Sequence, residues 1–143
     1  MLRIWKFQTF VAVDPKAPLG RNVVGYVEST AEYPLPLCIE TTLSDKEKRG
    51  MVIYILRVKV REDWQNKKVG TMMLPRALKN VSTGQDNAVA TSSVGVHLRV
   101  EGTNDHAIKL YEKFNFTYVG VHSLTPSSLI MTLIPVPLYQ LFS

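Results

Sequence analysis

The sequence predicts one α/β domain in which a mixed sheet is flanked by helices. Its 143 residues, 45% apolar and 20% charged, have the size and composition of a globular domain. Six apolar segments have the pattern of strands, and two others have the spacing of amphipathic helices. One weakly patterned segment lies between the second and third strands, so the predicted order is strand, strand, loop, strand, helix, strand, helix, strand, strand.

The first half of the chain predicts a hairpin, a loop and a central strand. The hairpin strands are Phe7–Val13 and Val23–Val27, separated by a turn rich in proline and glycine. Residues 29–50 contain prolines and a charged stretch, and they are predicted to form an inserted loop. Residues 51–60 give the strongest strand signal, because their first half is apolar at almost every position, as in a strand covered on both faces.

The second half predicts two helices and three strands. Residues 70–79 have helical apolar spacing, and residues 94–100 alternate as a strand with His97 and Arg99 on one face. Asn104 caps a second helix, whose apolar stripe is Ala107, Leu110, Tyr111 and Phe114. Strands at 116–121 and 129–134, joined through Thr125–Ser127, complete the sheet.

Positive charge is concentrated in one segment. Residues 57–79 hold seven basic and two acidic side chains, and 7 − 2 = +5 equals the net charge of the whole chain. Such a segment either attracts an anion or forms a solvated basic face. The small number of basic residues and the lack of a nucleic-acid motif disfavour nucleic acid as the partner. Gln65–Thr71 leads from the strongest strand into a helix, and the backbone N–H groups of a helix start suit phosphate oxygens.

The remaining composition bears on compartment and metal binding. Cys38 is the only cysteine, so it can form no intramolecular disulfide and no zinc site alone, and no metal is predicted. Met1–Lys6 has no secretory signal and no apolar run is long enough to span a membrane, which predicts a cytoplasmic protein. The apolar residues Leu138–Phe142 suit contact with a membrane surface or a partner chain.

Two motifs about 30 residues apart resemble the signature of the GNAT superfamily of N-acetyltransferases, which use acetyl-coenzyme A. Gln65-x-x-Lys68-x-Gly70 is similar to the family's Gln/Arg-x-x-Gly-x-Gly/Ala. The second motif, similar to Asn-x-x-Ala-x-x-Leu-Tyr-x-x-x-Gly-Phe, is Asn104-x-x-Ala107-x-x-Leu110-Tyr111-x-x-x-Asn115-Phe116. The resemblance covers about residues 51–121 and is closest to the branch that acetylates protein N-termini. It implies an α+β fold whose central sheet is mixed and mostly antiparallel.

The resemblance also implies where acetyl-coenzyme A binds. Its pantetheine arm is expected to lie like an extra strand against Val58, Lys59 and Val60, and its diphosphate on the N–H groups of residues 67–71. The implied coenzyme-binding residues are Val58, Lys59, Val60, Gln65, Lys67, Lys68, Val69, Gly70, Thr71, Asn104 and Tyr111.

The implied reaction is direct attack of a neutral amine on the thioester, with a protein N-terminus or another primary amine as acceptor. An α-amino group, with a pKa of about 8, needs little help at neutral pH, whereas a lysine needs a base. By resemblance Tyr111 donates a proton to the leaving thiolate and Tyr54 is the base, acting through a water; both also suit core packing. His97 is the other candidate base. Arg99, where the branch has histidine, is predicted to bind an acidic substrate group or a phosphate.

Four departures from the family pattern leave other functions open. Lys68 replaces a glycine, and Pro75 interrupts the first helix at a cost of about 3 kcal/mol. Too few residues precede Phe7 for the family's first strand and its two substrate-facing helices. The link between the last two strands lacks the aromatic pair with which N-terminal acetyltransferases hold a peptide. The alternative is a catalytically degenerate module that binds coenzyme A or a protein, and a basic nucleic-acid-associated protein is the third hypothesis.

Overall fold

Six strands form one mixed sheet in this computed structural model, which describes residues 7–31, 33–82 and 93–134. The strands are β1 Gln8–Val13, β2 Val23–Thr30, β3 Met51–Val60, β4 Ser93–Glu101, β5 Thr117–His122 and β6 Thr125–Leu133. Their spatial order is β1-β2-β3-β4-β6-β5, and β3 and β4 are parallel while the other neighbours are antiparallel. The predicted mixed, mostly antiparallel sheet is confirmed.

Among the described residues, three α-helices and two 3₁₀ turns lie between the strands. The helices are α1 Leu37–Glu40, α2 Val69–Ser82 and α3 Asp105–Lys113, and the 3₁₀ turns are Glu47–Arg49 and Glu62–Trp64. Both predicted helices are therefore confirmed, whereas α1 was not predicted. In the part of the chain that the structure describes, no helix is long and apolar enough to cross a lipid bilayer.

The parallel strands β3 and β4 separate near their carboxyl ends. Their last register pair is Ile55 with Leu98, although β3 continues to Val60 and β4 to Glu101. A bulge lies at the same level, because Glu28 of β2 pairs with Arg57 while the next residue pairs with Ile55, leaving Leu56 without a register partner. The bulge shifts the alternation of β3, so Val58 and Val60 face the same side as Ile55 and pack on the same core.

The sheet is covered on both faces. The larger core cluster packs α2 and α3 against one face and includes Leu74, Leu78 and Tyr111. A smaller cluster on the opposite face contains Ile39 and Leu43, which cover the buried strand residues Val52 and Ile130. Covering both faces explains why Val52–Ile55 are buried without alternation, as their sequence predicted.

Two predicted boundaries differ from the structure. The loop predicted over residues 29–50 begins too early, because β2 extends to Thr30, which pairs with Tyr54. The same predicted loop also contains the helix α1, whose Ile39 is fully buried. The predicted link Thr125–Ser127 lies inside β6, and the turn is instead Ser123–Leu124. Pro126 is tolerated there because β6 pairs with β4 only from Ser128 onward, so no neighbour needs its missing N–H.

Some predictions fall on residues outside the described ranges. They concern the N-terminal Met1–Lys6 and the apolar segment Leu138–Phe142.

Candidate active site

A cavity of 610 Å³ opens where β3 and β4 separate, between the end of β3 and helices α2 and α3. We call it the coenzyme cavity. It brings together nine of the eleven predicted coenzyme-binding residues, namely Val58, Val60, Gln65, Lys68, Val69, Gly70, Thr71, Asn104 and Tyr111. Residues that were not predicted also line it: Trp64, Asn66, His106, Ala107 and Leu110. Leu110 and Ala107 belong to the second motif, but no pattern in the sequence indicates Trp64 or His106.

Lys59 and Lys67 do not line this cavity. Arg61 N–H donates to the carbonyl of Val24 at 2.8 Å, and hydrogen-bonded pairs alternate along an antiparallel ladder. Lys59, which pairs with Tyr26, therefore directs its backbone groups to β2. Lys67 places its ammonium 5.2 Å from the ring centroid of Trp64, which itself lines the cavity.

The backbone of β3 faces the cavity at alternate residues. By the same alternation, Val58 and Val60 direct their N–H and C=O groups away from β2. They face the side on which β4 no longer pairs with β3. The Gln65 side chain donates to the Val60 carbonyl at 3.0 Å, which holds the following loop against the strand end. Val58 is thus the position at which an extended ligand finds strand-like hydrogen bonds.

The start of α2 presents backbone donors to the same cavity. The first helical hydrogen bond runs from Met72 N–H to the Lys68 carbonyl at 3.0 Å, so the N–H groups of Val69, Gly70 and Thr71 have no partner within the helix. All three residues line the cavity. Together with the helix dipole and the Lys68 ammonium, these donors make an anion-binding surface.

Helix α3 holds Tyr111 against the core at the edge of the coenzyme cavity. The Asn104 side chain accepts a hydrogen bond from Ala107 N–H at 3.1 Å and so caps the helix. At the other end, Asn115 and Phe116 donate to the carbonyls of Glu112 and Tyr111 in a Schellman motif. The ring of Tyr111 lies 5.7 Å from that of Phe116, and burial raises the pKa of Tyr111 to about 12.

A second cavity, of 380 Å³, lies on the opposite face of the sheet, beneath the segment that leads into α1. We call it the acceptor cavity. It brings together the predicted residues Tyr54, His97 and Arg99, and it adds Tyr33, which was not predicted. The rings of Tyr33 and Tyr54 stack with centroids 4.0 Å apart, and that of His97 lies 4.9 Å from that of Tyr54.

Arg99 is held over these rings. Its Nε donates to the Tyr54 hydroxyl oxygen at 3.1 Å, and its guanidinium carbon lies 5.8 Å from the ring centroid of Tyr33 and 5.9 Å from that of Tyr54. The hydrogen bond from Arg99 leaves the Tyr54 hydroxyl hydrogen available for another acceptor. The pKa of Arg99 is raised, chiefly by this hydrogen bond, so the residue is a fixed positive charge.

His97 is fully buried, and neither of its ring nitrogens has a hydrogen-bond partner within the described residues. Burial, followed by the charge of Arg99, lowers the pKa of His97 to about 4, so it is neutral at pH 7. The alternation of β4 predicted His97 and Arg99 on one face, and both do line the acceptor cavity. His122 also lines this cavity, and its Nδ1 is buried without a partner in the described structure.

Comparisons with known proteins came to three results. The model of the acetyltransferase (GNAT) family matches residues 3–116. Curated proteins gave no match. Among solved structures, NAA60 of Arabidopsis thaliana in complex with acetyl-CoA is similar: 23% identity, TM-score 0.70, 90% of this chain and 76% of that chain covered.

Two other structures extend the same likeness of fold. The Arabidopsis thaliana NAA60 structure with a bisubstrate analogue is 22% identical over 90% of this chain and 75% of that chain, with a TM-score of 0.66. A chain of the NatC complex bound to Gag peptide and CoA is 15% identical over 88% of this chain and 70% of that one, with a TM-score of 0.63.

Proposed function

Because this chain belongs to the acetyltransferase (GNAT) family, we propose that it transfers the acetyl group of acetyl-CoA to the α-amino group of a protein N-terminus. The observation that carries this proposal is the coenzyme cavity, in which the start of α2, the exposed backbone of β3 and Tyr111 meet. The structures similar in fold include N-terminal acetyltransferases with acetyl-CoA, a bisubstrate analogue or a peptide, which supports the same substrates here.

The coenzyme is proposed to bind along the cavity from strand to helix. The N–H groups of Val69, Gly70 and Thr71 receive its diphosphate, assisted by the charge of Lys68. The pantetheine arm pairs with the backbone of Val58, which β4 leaves unpaired. Its thioester then reaches the point where the strands separate, near Tyr111.

The amine is proposed to arrive from the acceptor cavity and to attack the thioester carbonyl directly. The new C–N bond gives a tetrahedral intermediate, which loses a proton from nitrogen and then breaks the C–S bond. The nitrogen's proton passes through a water and the Tyr54 hydroxyl to solvent, while Tyr111 donates a proton to the departing sulfur and, because burial raises its pKa to about 12, regains one from solvent. The products are the acetylated amine and free coenzyme A.

Tyr54 is the better supported of the two candidate bases. Arg99 Nε donates to the Tyr54 hydroxyl oxygen at 3.1 Å, so the Tyr54 hydroxyl hydrogen is available to another acceptor. A proton relay through a water requires this arrangement. His97 has a pKa of about 4, so it binds a proton poorly at pH 7. An α-amino group needs only a weak base, because its own pKa is about 8. The acceptor that these residues suit is therefore an N-terminus rather than a lysine side chain.

Calorimetry and a thiol-release assay test the proposal. Acetyl-CoA is expected to bind in the micromolar range, and peptides with free N-termini are expected to release coenzyme A. Tyr111→Phe should lower kcat by about 100-fold, the lower end of the usual acid–base contribution, and change coenzyme affinity little. The control is Tyr118→Phe, because Tyr118 is 59% exposed on an edge strand.

Each assay has a result that contradicts the proposal. No binding of acetyl-CoA at tens of micromolar would overturn it. Binding without acetylation of any peptide or small amine would favour the alternative, a coenzyme-binding module without activity. Equal turnover of Tyr111→Phe and Tyr118→Phe would show that Tyr111 serves only in packing.

A further inference from the structure

We infer that the acceptor cavity selects amines that carry a carboxylate beside the reacting nitrogen, and specifically peptides whose first residue is aspartate or glutamate. The inference deepens the proposed function and rests on it for the acetyl transfer itself. Arg99 is the residue assigned to this selection. Two independent features of the described part of the cavity carry the inference: a positive charge without a counter-ion there, and a buried imidazole without a hydrogen-bond partner there.

The charge of Arg99 has no counter-ion within the described residues. Among the residues that the structure describes, no acidic side chain lines the acceptor cavity, and the groups that act on the guanidinium are the Tyr54 and Tyr33 hydroxyls. Its Nε is engaged by Tyr54, while the two terminal nitrogens have no hydrogen bond in the described structure. The planar pair of terminal nitrogens matches the two oxygens of a carboxylate.

His97 provides the second feature. Its side chain is fully buried, it lines the acceptor cavity, and both ring nitrogens lack partners in the part of the chain described. Buried polar atoms in proteins nearly always have a hydrogen-bond partner, so the imidazole calls for a polar group brought by a ligand or water. An acceptor with both an amine and a carboxylate supplies a donor and an acceptor at this position.

The size and lining of the cavity favour a carboxylate over a phosphate. Its volume of 380 Å³ lies near the lower end of the range of about 300–1,000 Å³ that ligand pockets span. Its described lining offers one guanidinium, and the stacked rings of Tyr33 and Tyr54 are suited to the methylene groups of an acidic side chain. A phosphate dianion would meet a single cation, whereas a carboxylate is matched by it in charge and shape.

The field of Arg99 also distinguishes acceptors by charge. A guanidinium in a half-buried place repels an ammonium group, so an amine without a carboxylate enters the cavity against this charge. A carboxylate on the same residue offsets the repulsion by pairing with Arg99. Acidic first residues are therefore expected to bind better than their amide counterparts of nearly equal size and shape.

The experiment compares peptides that differ only at the first residue, in Asp/Asn and Glu/Gln pairs, with the full chain and acetyl-CoA. The kcat/KM for the acidic member of each pair should be about tenfold higher or more, as expected for one charge-assisted hydrogen-bonded pair. Arg99→Gln should bring the ratio close to one. Arg76→Gln, which removes an exposed arginine on α2, should leave the ratio unchanged.

Free aspartate and glutamate identify the source of the carboxylate. Acetylation of the free amino acids in preference to the peptides would support the same carboxylate recognition with a small-molecule acceptor. Equal or higher kcat/KM for the Asn and Gln peptides would overturn the inference and leave the proposed transferase activity intact.

Calorimetric titration of the peptides in the presence of coenzyme A distinguishes failure of the proposed acetyl transfer from failure of the inferred carboxylate selection. If no peptide is acetylated but the Asp peptide binds more tightly than the Asn peptide, and Arg99→Gln abolishes the difference, the proposed function fails while the inference holds. If the Asp and Asn peptides bind equally, or neither binds, the inference is overturned.

Discussion

At the scale of single residues, two side chains occupy positions where the family motif has glycine. Lys68 has a φ of 62° and Asn115 a φ of 69°, both in the left-handed region that glycine adopts at no steric cost. The loop before α2 and the end of α3 thus keep the motif's backbone geometry without its glycines. The cost for a residue such as Lys68 is about 1–2 kcal/mol, while Asn tolerates this region better.

Substitutions at Lys68 separate backbone strain from charge. Lys68→Gly and Lys68→Ala both remove the ammonium group, but only glycine relieves the positive φ. We expect Lys68→Gly to have a free energy of unfolding about 1 kcal/mol higher than Lys68→Ala, measured by urea denaturation. At Lys67, whose φ is not positive, the same pair should show the reverse order, because glycine there only adds freedom to the unfolded chain. If the Gly and Ala variants rank in the same order of unfolding free energy at Lys67 and Lys68, backbone strain at Lys68 is contradicted.

The buried imidazole of His97 predicts how stability changes with pH. Its pKa in the folded state is about 4, below its ordinary value of 6.5, so the unfolded state binds more protons between these values. The free energy of unfolding should therefore fall as pH decreases from about 6.5 to about 4, by up to roughly 3 kcal/mol. His97→Gln should remove this part of the slope, whereas His106→Gln, at an exposed site, should retain it. An unchanged slope in His97→Gln would assign the dependence to other groups.

At the scale of elements, α2 shows tertiary packing overriding local preference. Pro75 lies inside a helix that continues from Val69 to Ser82. The helix is maintained by one buried face, on which Met73, Leu74, Ala77 and Leu78 are each no more than 2% exposed. Proline at this position removes one helical hydrogen bond, which the packing of these four side chains offsets.

Replacing Pro75 should therefore stabilise the protein. Pro75→Ala restores a helical N–H, and the free energy of unfolding is expected to rise by about 1–3 kcal/mol at unchanged urea m-value. Pro18→Ala, in the exposed turn between β1 and β2, is the control and should lower stability slightly by freeing the unfolded chain. A lower stability of Pro75→Ala would mean that the packing of α2 on the sheet depends on the proline.

The elements also show what the sequence could predict. β3, β4, α2 and α3 are long and strongly patterned, and together with the two motifs they predicted most of the coenzyme cavity. The four residues of α1 are too few to show a period, and a bulge at Leu56 depends on pairing with β2. The acceptor cavity was predicted only in part, because Tyr33 reaches Tyr54 and His97 through contacts distant in sequence.

At the scale of the whole molecule, the sheet separates the two cavities. The coenzyme cavity lies on the face covered by α2 and α3, and the acceptor cavity on the face covered by α1. The separation of β3 and β4 begins just beyond the Tyr54–His97 register pair, so the gap in the sheet is next to the proposed base. The two substrates of a transferase need to touch only at their reacting atoms, and such a gap in the sheet provides that point of contact. Each substrate can therefore be recognised by a different set of residues.

This separation predicts that the coenzyme binds independently of the acceptor residues. Acetyl-CoA at 100 times its Kd should stabilise the fold by about 2.7 kcal/mol, a rise in Tm of roughly 5–10 °C. Arg99→Gln should keep this rise, whereas Lys68→Glu should reduce it by placing a negative charge beside the proposed diphosphate site. Lys46→Glu, an equal change of charge at an exposed loop residue outside both cavities, is the control and should keep the full rise. Loss of the rise in Arg99→Gln would show that Arg99 contributes to the coenzyme site, and the two faces of the sheet would then act as one site.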